Sequence, residues 1–148
     1  MTPTAAGLRA AVAARVGAVP GLREASGVLG PEYEAKQLID RSFTVWLGAE
    51  QDAGGRVRTD GSVFVARDFS IRLGHKLNTA RTQAAALAQA YADADEVKKA
   101  LLGHAADMYR DAEPDTAYLG TDEPEIVGGG VFLLTRLRFR TRYRFALT

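Results

Sequence analysis

Val131-Phe-Leu-Leu-Thr-Arg136-Leu-Arg138-Phe-Arg140-Thr-Arg142-Tyr-Arg144-Phe-Ala-Leu147 is the stretch that decides the fold of this 148-residue chain. Arg136, Arg138, Arg140, Arg142 and Arg144 occupy every second position, so in an extended strand all five project from one face, neighbours about 6.7 Å apart. Leu137, Phe139, Tyr143, Phe145 and Leu147 project from the other, with Thr135 and Thr141 between them. The apolar side needs cover. The arginine side needs water, acids or an anionic ligand, because five unpaired guanidinium groups are too costly to bury. A strand with one wet and one dry face belongs to a sheet with helices on one side.

Working outward, the same period of two marks two more strands. Phe43, Val45 and Leu47 alternate with Thr44 and Trp46. From Ser62 to Leu73, the side chains of Val63, Val65, Phe69, Ile71 and Leu73 fall on one side. The connection Asp52–Gly61 is polar and holds three glycines with Arg56 and Arg58, so it reads as a long, mobile hairpin tip available to a partner. Trp46, the only tryptophan, lies opposite the apolar run of its strand. It is expected to pack under a helix in the core, or else to sit at an interface.

Helical periods flank these strands. Leu8, Val12 and Val16 fall four apart, widened by Ala11 and Val19, with Thr4 as N-cap and Pro20-Gly21 as the stop. After the strands, Asn78 or Thr79 can cap a helix that carries Ala84, Leu87, Ala88 and Tyr91 on one face. Asp93 and Glu96 fit a capping box, which starts a second helix with Val97, Leu101, Ala105 and Met108 inward. One continuous helix is the alternative. Residues 21–41 stay open, with Tyr33 to Ile39 either helix or strand, and residues 111–130 read as loop or short strand. The expectation is a single α+β domain over residues 1–148, a mostly antiparallel sheet with an N-terminal helix and a central helical pair packed on one face.

Composition bounds function. The chain is 47% hydrophobic and 25% charged, which argues against disorder and repeats. Nineteen Lys+Arg against 18 Asp+Glu remove any argument from global charge for a polyanion binder. That balance hides segments: residues 93–130 hold 3 bases and 10 acids, and residues 131–148 hold 5 arginines and no acid. The absence of cysteine excludes disulfides, thiolate metal sites and cysteine nucleophiles. Arg9 and Arg15 interrupt the alanine-rich N-terminus, so it is not read as a secretory signal. No run of about 18 apolar residues suggests a membrane span. Folding and assembly in a reducing cytoplasm are expected.

Catalytic signals are poor. His75 and His104 are the only histidines and show no metal-ligand spacing; they read as a strand-end and a helix-face residue. Neither a nucleophile elbow nor a phosphate loop is present, and the carboxylates of 93–125 fall at apparent surface positions. The expectation is a non-enzyme without cofactor or metal. Three readings compete for the arginine face: a solvated surface partly neutralised by acids on adjacent strands, a seam where the acidic segment of one copy meets the basic strand of the next, or a surface facing nucleic-acid backbone. No aromatic residue of this strand shares the arginine face, which disfavours base stacking.

The layout resembles the tail terminator proteins of long-tailed bacteriophages, the family of the lambda minor tail protein U. The resemblance rests on the amphipathic helix around Leu8-Arg-Ala-Ala-Val12, the strand Phe43-Thr-Val-Trp-Leu-Gly-Ala-Glu50, the glycine-rich hairpin and the strand ending Phe69-Ser-Ile-Arg-Leu73. The alanine-rich helix and the closing strand Leu137-Arg-Phe-Arg-Thr-Arg-Tyr-Arg-Phe145 complete it. It implies a homohexameric virion ring at the tail–neck junction that caps the tail tube, stops its polymerisation and offers a head-tail joining surface. Implied partners are copies of itself, the tail tube protein, the head-completion or connector protein, and DNA passing through the lumen without sequence-specific contact; no membrane is involved. A gene transfer agent would use the same part. A neck or head-completion protein of the same particle, and a non-sequence-specific DNA-binding α+β protein, are the alternatives.

Overall fold

The computed structural model describes residues 4–25, 39–54, 56–77, 82–102, 115–127, 130 and 132–147. In chain order these form α1 (Ala5–Gly17), β1 (Arg23–Glu24), β2 (Ser42–Asp52), β3 (Ser62–Lys76), α2 (Gln83–Leu102), β4 (Asp115–Thr121), β5 (Glu125–Val127) and β6 (Phe132–Ala146). The six strands make one mixed sheet in the order β1-β2-β3-β6-β4, with β5 also on β6. Only β1 runs parallel to its neighbour. The α+β architecture expected from the strand and helix periods is the one observed.

The closing strand is the sheet's spine. β6 pairs with β3 along its whole length, from Lys76↔Phe132 to Ser62↔Ala146. Its other edge holds β4 from Leu137 to Arg142 and β5 from Phe132 to Leu134. Antiparallel register carries the period-two patterns into one another, so Phe69 faces Phe139, Ile71 faces Leu137, and Val45 faces Ile71 across the next ladder. All of these lie on the side that both helices cover. Leu8, Val12 and Val16 of α1 and Ala94, Val97 and Leu101 of α2 join them in one core cluster.

Local chemistry explains the helix limits. The Thr4 hydroxyl accepts a hydrogen bond from the Gly7 amide at 3.0 Å, satisfying one free donor of the first turn. Thr82 does the same for Ala85 at 3.1 Å, so α2 begins at Gln83; Asn78 and Thr79 lie outside the described residues. The expected pair of helices is one continuous helix through Asp93. Asp93 does not cap a new helix because its carboxylate is engaged by side chains from other elements. Val97 and Leu101 face inward as expected, but in the first half of the helix the inward face is rotated from the expected one. Ala86, Ala90, Asp93, Ala94, Val97 and Leu101 are buried, whereas Ala84, Ala88 and Tyr91 are exposed and Leu87 is half-buried. Ala105 and Met108 lie outside the described residues, as do Tyr33 to Gln37 and Leu38.

Two loop readings are sharpened. Of the alternatives left open for residues 111–130, loop or short strand, the described part forms two short strands, β4 and β5, that join the sheet. The β2–β3 connection is long, as expected, but hydrogen-bonded. Gly54 donates to the Asp52 carboxylate, Ser62 to Asp60, and the Arg58 amide to the Ser62 carbonyl.

Candidate functional site

Both helices occupy one side of the sheet, and the other side carries the arginine ladder. Register places residues of neighbouring strands beside it: Arg72 opposite Arg136, Ser70 opposite Arg138, Asp68 opposite Arg140, Ala66 opposite Arg142 and Phe64 opposite Arg144. Trp46 sits one strand further on, opposite Ser70. The five predicted arginines therefore share a surface, and Trp46 belongs to it. Core packing for Trp46 is overturned: the residue is 46% exposed, because no described helix packs on its side of β2. The interface reading of Trp46 is taken up below.

The ladder is partly neutralised within the chain. Arg140 pairs with Asp68 at 2.6 Å, Arg138 with Asp122 at 3.0 Å, and Arg144 with Asp60 at 3.3 Å. Arg136 lies 3.7 Å from the same Asp122 carboxylate, so one acid serves two cations. Arg142 has no ion pair among the described residues and instead covers the Phe64 ring at 4.2 Å. Arg58, one of the two hairpin-tip arginines, covers that ring from 4.9 Å. Contacts of a guanidinium with a ring face are worth about 0.5–1 kcal/mol at exposed sites. Arg56 stays exposed and lines a groove with Gln51, Val57 and Val63. The tip arginines therefore differ: Arg58 is folded back onto the sheet and Arg56 points to a separate surface.

The aromatic residues that the arginine face of β6 lacks are supplied by the adjacent strands. Phe64 is buried beneath arginines, while Trp46 is open, with the Arg72 guanidinium 5.9 Å from its ring centre. Sequence reading of β6 alone misses this because cross-strand neighbours are set by register. At the far end of the same side, Ala25, Phe132 and Leu134 form a small apolar cluster. Gly74 lets the Phe132 ring lie flat on the sheet, since a Cβ there would stand 2.0 Å from Phe132 Cζ.

A second constellation lies on the helix side and was not expected. Asp93, 2% exposed, accepts hydrogen bonds from Arg41 Nη2 at 2.7 Å, Arg41 Nε at 3.1 Å and Gln89 Nε2 at 3.0 Å. His75 Nε2, on a fully buried ring, lies 2.7 Å from Asp93 Oδ2, the oxygen that also accepts from Arg41 Nε. Burial would push the Asp93 carboxyl up, but the hydrogen bonds from Arg41, His75 and Gln89 outweigh it and hold it below the ordinary carboxylate range. Arg41 adopts φ 55° and also donates to the Pro20 carbonyl, so the cluster ties the end of α1 to β2, β3 and α2. His75 lies at the strand end as expected, as the penultimate residue of β3, but its ring is buried in the core; His104 lies outside the described residues. The available signal was Asp93 on the same helical stripe as Ala86, Ala90 and Val97, where an acid requires a buried partner.

The buried dyad of His75 and Asp93 resembles an acid–base pair but has no access to solvent, which suits a structural tie. Among the described residues, no three His, Asp or Glu side chains converge as a metal centre requires, and no helix is long and apolar enough to cross a membrane. No protein-family model matches the chain, and a search of curated proteins finds no match.

Proposed function

We propose that this chain is a structural assembly protein of a tailed particle, a tail terminator that forms a ring on the tail tube, halts its growth and presents a joining surface to the head. The observation that carries the reading is the two-sided sheet. One side is sealed by α1 and α2, while the other exposes Trp46 and a row of arginines in a chain whose total charge is near zero. Such a face is better suited to contact with a macromolecule than to enclosing a small substrate. A ring with two unlike sticky surfaces arises when a head-to-tail contact closes by rotation, and the separate acidic and basic segments fit that requirement.

The test is negative-stain microscopy of particles assembled without this gene. Overlong tail tubes of scattered length, detached from filled heads, are expected. Tails of normal length beside unjoined heads would move the protein to the head side of the neck. Intact particles would refute the structural role and leave DNA binding by the arginine face as the next reading.

A further inference from the structure

The two edges of the sheet present rows of backbone groups that the hydrogen-bond pattern identifies. β1 covers the outer edge of β2 only at Ser42 and Phe43, where the Ala25 amide donates to the Phe43 carbonyl at 2.8 Å. Outward and inward groups alternate along a strand, so the N–H and C=O of Val45 and Leu47 also point away from β3. On the opposite edge, the Asp122 amide donates to the Arg136 carbonyl at 2.9 Å. Carried through the register of β4 on β6, this turns Ala117 and Gly120 inward and leaves the groups of Thr116 and Tyr118 outward. No described strand pairs with either row.

Open edges are ordinarily blunted by charged residues, proline or a covering segment. Phe43–Ala49 and Thr116–Thr121 hold neither a charged residue nor a proline. Trp46 on the first edge and Tyr118 and Leu119 on the second are exposed. Each strand has one irregularity, after Leu47 and after Tyr118, so a regular stretch remains on the N-terminal side of each.

β2 and β4 run in opposite directions, because β2–β3, β3–β6 and β6–β4 are all antiparallel. Laid side by side in two copies that present the same face, they pair antiparallel and continue the sheet. Their outward rows then match. Val45 opposite Tyr118 and Leu47 opposite Thr116 can exchange backbone hydrogen bonds with all four side chains on the helix side, and Trp46 falls opposite Ala117 on the arginine side.

We propose that a second copy of this chain adds its β4 edge to the β2 edge of the first, in the register Val45↔Tyr118, so that one sheet runs from copy to copy. The inference rests on the ring-forming reading above and assigns its subunit contact, which joins unlike edges head to tail. Backbone groups and apolar side chains make the contact, as in other strand additions.

The full-length protein is followed over a dilution series by sedimentation velocity and by backbone hydrogen exchange read by mass spectrometry. Assembly with several-fold slower exchange in peptides covering both edges is expected. Ala117→Lys, at an exposed site and checked for native circular dichroism, should move assembly to at least about tenfold higher concentration, since a lysine on an edge opposes strand addition. The chain has no cysteine, so Trp46→Cys combined with Ala117→Cys tests the register. Within one copy these positions are three strand spacings apart, at least about 14 Å, too far for a disulfide. Mild oxidation of the assembled double variant should give a ladder of covalent multimers beyond the dimer, which neither single variant can form. Assembly with unchanged exchange at both edges, slower exchange at one edge only, unshifted assembly of Ala117→Lys, or no ladder from the assembled double variant overturns this contact while leaving the ring reading intact. A chain that stays monomeric at every concentration overturns both.

Discussion

Replacing Asp93 by alanine should be among the most damaging single changes in this molecule. The carboxylate is almost fully buried and receives two hydrogen bonds from Arg41, one from Gln89 and one contact from His75. Deleting it strands a guanidinium and an imidazole that were placed for it. Removing one partner of a buried ion pair costs about 3–5 kcal/mol. The Arg41 side chain keeps 29% exposure, so water recovers part of the loss and the lower end, about 3 kcal/mol, applies. For a chain of this size that corresponds to a fall in Tm of about 6–12 °C. Urea unfolding followed by far-ultraviolet circular dichroism measures it directly. The pH dependence provides a second reading. The folded carboxyl titrates below its unfolded value, so its stabilisation is complete above the unfolded pKa and is lost as pH falls through the folded one. Asp93→Asn keeps an acceptor but not the charge, so its destabilisation relative to wild type should be large at neutral pH and shrink as pH falls through that acid window. A loss under about 0.5 kcal/mol for Asp93→Ala, the scale of an ordinary surface substitution, would refute the view that this cluster holds the helices to the sheet.

Gly74→Ala should destabilise by about 1–3 kcal/mol through overpacking, because the new Cβ would overlap the buried Phe132 ring; Phe132→Leu should recover part of that loss in the double variant, as measured by chemical denaturation. Leu137→Ala, at a fully buried position, should cost about 2–5 kcal/mol, whereas Arg138→Ser on the other face should change stability by no more than about 0.5–1 kcal/mol; equal effects would mean that the two faces of β6 are not distinct in solution. Arg56→Glu combined with Arg58→Glu should reduce the yield of infectious particles if the hairpin connection contacts the tail tube or connector. Unchanged yield would remove both residues from any partner surface, and Arg56→Glu alone separates partner contact from the Phe64 contact made by Arg58.

The strands were the most legible part of the chain, and the reason is geometric. Alternation in β6 is so regular that no helical period accommodates it, and the apolar sets of β2 and β3 have the same period. The burial of Leu137, Phe139 and Tyr143 and of most of the β2 and β3 sets follows from sequence alone, as does that of Leu8, Val12 and Val16 on α1, whereas Phe145 and Leu147, expected on the same covered face, are exposed at the end of the strand beyond the reach of the helices. The α2 reading was less accurate. Alanine-rich helices carry a weak apolar stripe, so Ala84–Tyr91 and Ala86–Ala90 offer similar faces, and only packing against Leu133 decides between them. Asp93 looked like a cap because Asp followed by Glu three residues later satisfies free amides at a helix start. Arg41, fifty-two residues away in sequence, is what makes the acid a core residue instead.

What the sequence determined by itself, then, is the α+β class, the two unlike faces of β6 and the presence of five arginines on one of them, because all three depend on local periodicity and on the cost of burying charge. Tertiary structure decided which groups meet those arginines. Asp68 and Phe64 reach them by strand register, Asp122 by the return of the chain after β4, and Trp46 shares their face because both helices settle on the other. It also decided that His75, Asp93 and Arg41 form one buried tie. Such pairings join residues far apart in the chain, and their positions are set by register, bulges and helix rotation rather than by any pattern within a single segment.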